Sequence, residues 1–285
     1  MLTKASLNRR VTDALLKNDF EVMLSRGIFD IAGKREYKLL IKTLINIDGF
    51  LERHAKSLKV LSHFLSANPL VVSLKANKYI LQDMIVYSRF NIPVMTPETL
   101  ETLLFEDSLP YIYSVKGKHL VRIDSKKMKR RRTEMGLSMK SLANKVGVSV
   151  KAIYEIENER VNPTLSTAKK LEEILGVKLI LTYGIDLLTR PKEDVRIPPL
   201  TLVEKRVSRE LQRIGLKSSC VYHPKLNVIG KGNFTFASCV KEKDLNLQDE
   251  ATFLKEFKIF FECDTAIILK EIEGRERISD VPVLT

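Results

Sequence analysis

The sequence has no tryptophan, only three cysteines and only four histidines among its 285 residues. Cys220, Cys239 and Cys263 are odd in number and far apart, and no Cys-x-x-Cys pair occurs. A disulfide framework or a zinc site is therefore not expected, and the cysteines are predicted to be buried free thiols. No apolar run reaches about 18 residues, which argues against a membrane-spanning helix. The first twenty residues lack the features of a secretory signal, so we expect a cytoplasmic protein with no membrane partner.

Several catalytic signatures are missing as well. The sequence has no glycine-rich phosphate loop, no Ser/His/Asp set and no His/Cys cluster with metal-ligand spacing. Hence no cofactor, no metal ligand and no catalytic residue is assigned, and the chain is predicted not to be an enzyme. Positive charge, by contrast, is abundant. The formal net charge is +13, and residues 125–180 hold thirteen Lys and Arg against six acidic residues. This excess favours nucleic acid as the partner, with salt-dependent binding.

The central stretch "LSMKSLANKVGVSVKAIYEIENERVNP" has the pattern of two short helices joined at a glycine. Ser138 and Ser149 are suited to cap helices that begin at Met139 and Val150, and Gly147 is suited to end the first of them. Pro163 and Thr164 then open a further helix that Gly176 ends. Upstream, "SKKMKRRRTEMG" predicts a basic helix with Met128 and Met135 facing inward.

This segment is similar to the Xre/Cro-like, or phage-repressor-like, helix-turn-helix family from about Lys127 to Leu179, in "GLS", "LANKVGVS", "IENER" and "KKLEEILGV". The resemblance implies a five-helix DNA-binding domain whose helix 150–158 enters the major groove. It implies base contacts by Val150, Lys151, Tyr154 and Glu155, and phosphate contacts by Ser138, Lys140, Ser149, Asn158 and Arg160. Glu155 and Tyr154 also fit simple surface positions, and Met139 departs from the glutamine of many members.

Arg132 and Glu157 match a pair that joins the first and third helices in this family. We interpret them as a structural ion pair rather than as DNA contacts. Removing one partner of such a pair costs several kcal/mol when the pair is buried.

The flanks of the central segment resemble each other. "FDIAGKREYKLLIKTL" pairs with "LNVIGKGNFTFASCVK", "LKVLSHFLSANPLVVSLK" with "LKEFKIFFECDTAIILKE", and "IPVMT" with "VPVLT", at separations of 197, 196 and 189 positions. Each set follows an amphipathic helix, and the shared order is helix, three strands, helix, strand and a proline-containing strand. We therefore predict two copies of one α/β domain around the central unit; chance similarity of amphipathic elements is the alternative.

The first copy resembles a degenerate PD-(D/E)xK, or restriction-endonuclease-like, core. Asp30 is expected to end a strand, and Lys42 follows twelve residues later. An active core also needs an acid two residues before the lysine to hold Mg²⁺, but Leu40 occupies that position. In the second copy the positions hold Asn227 and either Cys239 or Ser238. The resemblance thus implies the fold and argues against the chemistry. Asp30 as a turn cap and Lys42 as a snorkelling strand end remain an equal interpretation.

The whole layout also resembles a group of archaeal helix-turn-helix transcriptional regulators, in "FDIAG", "LVVSLK" and "NIPVMTPETLETLLFED". The fold class predicted is α/β plus all-α. The domains predicted are 1–122, a degenerate nuclease-like α/β domain; 123–183, the helix-turn-helix domain; 184–200, a linker; and 201–285, the shorter second copy. Within "NIPVMTPETLETLLFED", Thr96 is expected to cap a helix that begins at Pro97. The following stretch "YIYSVKGKHLVRID" is expected to form a hairpin that turns at Lys116-Gly117.

These patterns predict a sequence-specific regulator that binds double-stranded DNA as a homodimer, with the flanks used for dimerisation or architecture. No residue points to a small-molecule effector. Three alternatives stay open: a Mg²⁺-dependent nuclease using acids such as Asp13, Glu21 or Asp30; a structure-specific DNA binder that uses the flanks; and an antitoxin or adaptor that uses the central motif for protein contacts.

Overall fold

The computed structural model of the chain describes residues 3–106, 109–110, 112–115, 118–183, 195–242, 247–270 and 276–285. The chain forms two compact units. The first combines Met1–Tyr79 with Thr189–Thr285, and the second is Ile80–Leu188. No helix among the described residues is long and apolar enough to cross a membrane.

The first α/β copy opens the first unit. Its elements are α1 (Lys4–Lys17), β1 (Glu21–Leu24), β2 (Ile31–Lys34), β3 (Lys38–Asn46), a 3₁₀ turn (Ile47–Gly49), α2 (Glu52–Leu65) and β4 (Ala67–Ala76). Strands β1, β2 and β3 pair antiparallel, while β3 and β4 pair parallel through the α2 crossover. The centre of β3 is almost continuously apolar and buried, as expected for a parallel strand covered on both faces. Helix α1 begins at a Thr3 cap and buries Leu7, Val11 and Leu15.

The second unit follows β5 (Tyr79–Ile80). It contains β6 (Tyr87–Arg89), β7 (Ile92–Met95), α3 (Pro97–Glu106), β8 (Leu109–Pro110), β9 (Ile112–Val115), β10 (Lys118–Val121), α4 (Ser125–Glu134), α5 (Met139–Val146), α6 (Val150–Glu157), α7 (Leu165–Leu175) and β11 (Thr182–Tyr183). Thr96 caps α3, and β9 pairs antiparallel with β10 as the predicted hairpin. The predicted turn at 116–117 lies outside the described residues.

The hairpin and the helices of this unit share one core. Ile85, Ile112, Val121 and Ile123 are buried with the apolar side chains of α4 to α7. The backbone of β10 also bonds the segment before α7, where the Val121 amide donates to the Pro163 carbonyl at 2.8 Å. The predicted boundary at 122/123 therefore does not coincide with the division between the compact units, because these contacts join the residues after Tyr79 to the motif.

Two details of the helical segment differ from expectation. Its described residues contain four helices, α4 to α7, rather than five; residues 177–183 continue as an extended segment, and residues 184–194 of the predicted linker lie outside the described part. Met128 is fully buried as predicted. Met135 is 43% exposed, because α4 ends at Glu134 and the chain turns outward at Gly136, which has φ +64°.

The second α/β copy completes the first unit. Its elements are α8 (Leu202–Arg213), β12 (Lys217–Cys220), β13 (Val228–Lys231), β14 (Thr235–Lys241), α9 (Gln248–Phe261), β15 (Asp264–Leu269), β16 (Arg277–Ile278) and β17 (Val281–Leu284). The strand order is β12-β13-β14-β15-β17-β16. Cys220, Cys239 and Cys263 are free and buried, as predicted.

The internal repeat is confirmed in its order, because both copies run helix, three strands, helix and strand, and both end in a proline-containing strand that pairs with the short strand before it. The register agrees as well. The Asp30 amide donates to the Ile41 carbonyl at 2.9 Å, and the Asn227 amide donates to the Ser238 carbonyl at 2.9 Å. The final strands match too, since Pro93 lies opposite Ser88 and Pro282 lies opposite Arg277.

The two copies pack against each other through reciprocal contacts. Lys34 of the first copy lies 2.6 Å from Glu262 of the second, and Lys231 of the second donates to Ser66 of the first at 2.6 Å. These pairs occupy equivalent positions, so the copies are related as in a two-fold dimer, but within one chain. The two copies therefore pair with each other inside this unit.

Candidate nucleic-acid interface

Helices α5 and α6 form the predicted helix-turn-helix. The Ser138 Oγ accepts from the Ser141 amide at 3.0 Å and the Ser149 Oγ accepts from the Ala152 amide at 3.1 Å, so each helix begins at a serine cap. Gly147 ends α5 with φ +82°, a conformation that a side chain would strain. Leu142, Val146, Ile153 and Ile156 are buried, which holds α6 against the core and leaves its opposite face outward.

The outer face of α6 carries the predicted base-contacting residues together. Val150 is 44% exposed and Tyr154 41% exposed, with Lys151 exposed beside them. Glu155 lies on the same face but is partly engaged, since its Oε1 lies 3.7 Å from an Arg160 nitrogen. The Arg160 guanidinium also lies 5.5 Å from the centre of the Tyr154 ring. Among the described residues, this face therefore offers the exposed cation of Lys151, the carboxylate of Glu155 with a partner, and apolar surface for a thymine methyl group.

The predicted phosphate-contacting residues lie around the two helix starts and the end of α6. Ser138 and Ser149 use an Oγ lone pair for their caps, so each hydroxyl keeps its hydrogen as a donor. Lys140 is exposed on the first turn of α5. Asn158 ends α6, and its side-chain amide donates to the Tyr154 carbonyl at 2.8 Å. Met139 packs partly buried against the core, which gives the departure from the usual glutamine a packing role.

Arg132 of α4 and Glu157 of α6 form a bidentate ion pair. The Nε–Oε1 distance is 2.6 Å and the Nη2–Oε2 distance is 3.0 Å, while Nη1 donates to the Leu137 carbonyl at 2.8 Å. Their side chains are 10% and 1% exposed. The hydrogen bond to Glu157 raises the pKa of Arg132, against the opposing effect of burial. The pair lies in the interior and links the basic first helix to the end of α6.

The predicted degenerate nuclease position, Asp30 and Lys42, lies in the first copy, and one expectation about it was wrong. Asp30 precedes β2 rather than ending a strand, because its amide already bonds β3 where the β2–β3 pairing starts. The carboxylate accepts four hydrogen bonds. Oδ1 accepts from Lys4 at 2.8 Å and from Lys42 at 3.3 Å, and Oδ2 accepts from the Thr43 amide at 3.0 Å and from its hydroxyl at 3.1 Å.

This donor set does not fit a divalent cation. A PD-(D/E)xK centre needs a second carboxylate two residues before the lysine to hold Mg²⁺, and Leu40 there is fully buried. The Lys4 ammonium lies 2.8 Å from Oδ1 of Asp30, so this oxygen already has a cationic partner. Within the described ranges, no group of three His, Cys, Asp or Glu side chains could hold a metal ion. Asp13 and Glu21, proposed above as substitute acids, are both exposed.

His223 of the second copy closes this position from outside. Its ring stacks between Phe29 and Phe253, with centroid distances of 6.5 and 5.1 Å. Gly27 makes room for it, because a Cβ there would lie 2.4 Å from Nε2 of the imidazole, and the Gly27 carbonyl accepts from Lys42. Burial lowers the pKa of His223 to about 4, and its buried Nε2 has no hydrogen-bond partner in the described structure. On the side of Gly27, the Asp30–Lys42 pair is thus covered by neutral, apolar packing, while Lys4 contacts Asp30 from another element.

The equivalent position in the second copy has lost both charges. Asn227 replaces the aspartate, and its Oδ1 accepts from the Val240 amide at 2.8 Å, as Asp30 accepts from Thr43. Cys239 replaces the lysine and is fully buried. Burial raises the pKa of its thiol to about 12, so it remains protonated near neutral pH. Only the hydrogen-bonding role of the acid is kept here.

Three residues that sequence reasoning missed complete the first-copy position, namely Lys4, Thr43 and His223. Lys4 is a cation in the first turn of an amphipathic helix, which is ordinarily a solvated position. Thr43 follows Lys42 directly, and its amide has the same role as that of Val240, so alignment of the two copies could have found it. His223 carries no local signal, since its role depends on the contact between the copies.

The comparisons with known proteins agree with this geometry. A family model described as a PD-(D/E)XK superfamily domain matches residues 4–110, and one described as a helix-turn-helix matches residues 128–181. A relative from Methanothermobacter thermautotrophicus is 30% identical over 97% of this chain and 88% of its own length. One from Methanocaldococcus jannaschii is 32% identical over 92% and 84%, and one from Pyrococcus horikoshii is 36% identical over 72% and 65%.

All three relatives carry the name "Putative HTH-type transcriptional regulatory protein". A solved structure of a SinR protein/SinI protein complex is 24% identical, with a TM-score of 0.18, and is matched over 32% of this chain and 80% of that one. The sequence, the helix-turn-helix and the nuclease-like α/β copies thus lead to one conclusion: the chain belongs to this archaeal family of HTH-type transcriptional regulatory proteins.

Proposed function

We propose that the chain is a cytoplasmic, sequence-specific regulator that reads double-stranded DNA with the outer face of α6. The observation that carries the proposal is that exposed Val150, Lys151 and Tyr154 share one helix face with the partly buried Glu155, above a fully packed inner face. Lys151 would donate to guanine O6 or N7, Glu155 would accept from cytosine N4, and Val150 would contact a thymine methyl group. Arg160 would hold Glu155 in place and neutralise it until a base replaces that contact.

The α/β copies act as architecture and not as a nuclease in this proposal. Asp30 is saturated by two ammonium groups and a threonine, Leu40 replaces the second acid, and His223 covers the site. A scissile phosphate therefore has neither a metal nor an open path to Lys42, which is 8% exposed. The structure-specific alternative, in which the flanks themselves contact DNA, would leave binding intact after loss of the α6 residues.

The double variant Lys151→Ala, Glu155→Ala should lose the preference for the chain's own upstream DNA over scrambled DNA. One good base contact contributes about 1–3 kcal/mol of discrimination, so we expect a loss on the order of a hundredfold in the specificity ratio. Binding to scrambled DNA should persist, since the basic α4 is intact. The measurement is fluorescence anisotropy on both DNAs across a salt titration.

Lys169→Ala, Glu173→Ala is the matched control, because it removes the same charges at the same spacing from the exposed side of α7. This control should keep the preference. Equal preference in wild type and in both double variants would refute α6 as the reader. If Lys169→Ala, Glu173→Ala also loses the preference for upstream DNA, the loss results from a change in surface charge or folding and not from the α6 face.

We also propose that two chains assemble as a homodimer through the second α/β copy. A groove of about 620 Å³ lies between α8 and the sheet. Its edges expose Leu202 at 85%, Ile214 at 64% and Phe234 at 44%. Arg206 and Glu210 line it one helical turn apart. A second copy related by a two-fold axis would bring each Arg206 to the other chain's Glu210, so the face complements itself.

Ile214→Glu should convert the dimer to a monomer at micromolar concentration, because it places a charge in the apolar part of the contact. Sedimentation equilibrium measures the change. Ile259→Glu is the control, since Ile259 is 66% exposed on the outer side of α9, away from the groove. A monomeric wild type, or equal dissociation of both variants, would contradict the proposed interface.

A further inference from the structure

The pairing of the two α/β copies is reciprocal in geometry but not in charge. On one side, Lys34 has two acidic neighbours: Glu21 lies opposite it on β1, and Glu262 lies 2.6 Å away at the end of α9. On the equivalent side, Lys231 has Lys217 opposite it on β12, and Ser66 2.6 Å away at the end of α2. Lys217 and Ser66 thus take the places of Glu21 and Glu262. The formal charge of each three-residue set is −1 around Lys34 and +2 around Lys231.

The excess positive charge around Lys231 lowers the stability of the folded chain. Like charges directly across a strand pair repel each other, and Lys231 is half-buried. Burial, and then the charge of Lys38, lower the pKa of Lys231. Ser66 has φ +51° and Glu262 has φ +56°, so the two positions have the same backbone conformation and a glutamate fits it. The missing acid at Ser66 is therefore not imposed by the backbone.

A pocket of about 250 Å³ opens at this point. It is lined by His63, Phe64, Arg196, Lys217, Lys231 and two glycines. None of the described lining residues is acidic, and two of them are lysines from neighbouring strands. Residues from both copies contribute, so the pocket exists only because the copies are paired. At the equivalent position on the other side, Lys34 and Glu262 form an ion pair.

We infer that this pocket binds a phosphate group, held by Lys231 and Lys217 with Arg196 at its edge. Arginine and lysine at close range form the charge-assisted hydrogen bonds that phosphate oxygens accept. The anion supplies the negative charge that Glu262 supplies on the other side. A phosphodiester of the DNA backbone and a phosphate monoester of a small molecule share this chemistry. The inference is independent of the proposed reading by α6, which the Lys151 and Glu155 substitutions test.

Ser66→Glu is the sharpest test, because it copies the natural arrangement of the other side. Inorganic phosphate is titrated into the full chain by calorimetry, at constant ionic strength balanced with chloride. Ser66→Glu and Lys231→Gln should each weaken phosphate binding roughly tenfold or more, the equivalent of one lost hydrogen bond to a charged group. Lys205→Gln, which removes an exposed cation from α8, should leave it unchanged.

A salt titration of binding to scrambled DNA distinguishes the two ligands, the DNA backbone and a small phosphorylated molecule. If the DNA backbone occupies the pocket, Lys231→Gln lowers the slope of log K against log salt by about 0.9, whereas Lys151→Ala, Glu155→Ala leaves that contact in place. If a small phosphorylated molecule occupies it, inorganic phosphate binds while the slope stays the same. The inference is overturned if phosphate binds wild type no more tightly than Ser66→Glu and the DNA slope does not change.

Discussion

Glu157→Gln should lower the free energy of unfolding of the helix-turn-helix unit by about 3 kcal/mol, because it leaves the Arg132 guanidinium buried without its counter-charge. The Glu157 side chain is 1% exposed, so solvent does not replace the lost partner. Urea unfolding followed by circular dichroism measures the loss. Hydrogen exchange of the α4 and α6 amides assigns it to this unit rather than to the α/β copies.

The double variant Arg132→Met, Glu157→Leu distinguishes the loss of the ion pair from the cost of burying one unpaired charge. Replacing both partners by apolar side chains of similar size is often neutral or stabilising, so this variant should recover most of the loss. It should also keep the preference for specific DNA, since neither residue lies on the outer face of α6. A small effect of Glu157→Gln, below about 1 kcal/mol, would show that the pair behaves as an exposed one.

The helical part of the fold could be predicted closely because its signals are local. A serine cap, an apolar stripe and a glycine stop lie within about ten residues of each other, and each has one physical meaning. The boundaries of α5 and α6 follow directly from Ser138, Gly147 and Ser149. The repeat was predictable for a related reason, since its blocks keep their separation along the chain and so their register in the sheet.

The contacts between distant segments could not be predicted in this way. A side chain at Gly27 would collide with the imidazole of His223, which lies 196 positions later. No pattern in the neighbouring sequence indicates this contact. The division of the chain after Tyr79 likewise depends on Ile85 and Ile112 packing with helices that follow much later. Asp30 was found from a resemblance, but its second cation, Lys4, was not, since an exposed lysine in a first helical turn has no distinguishing mark.

The pairing of Asp30 with Lys42 leads to the second large effect. Asp30→Asn should destabilise the α/β unit by about 3 kcal/mol, because Lys42 is buried and loses its counter-charge. The amide oxygen would still accept from the Thr43 amide, as Asn227 accepts from Val240. Lys4 is 47% exposed and can return to solvent. The cost therefore belongs to the buried lysine, and calorimetric unfolding at neutral pH measures it.

Asp30→Asn, Lys42→Cys recreates the Asn227–Cys239 combination of the second copy, so it should regain about 2 kcal/mol by removing the stranded charge. The same variants decide between architecture and catalysis. With Mg²⁺ and supercoiled DNA, wild type and Asp30→Asn should be equally inactive, because Leu40 supplies no second ligand. Cleavage by wild type that Asp30→Asn abolishes would revive the nuclease alternative. A stability loss without any change in cleavage or DNA preference would mean that Asp30 serves to hold a buried lysine where the two copies meet.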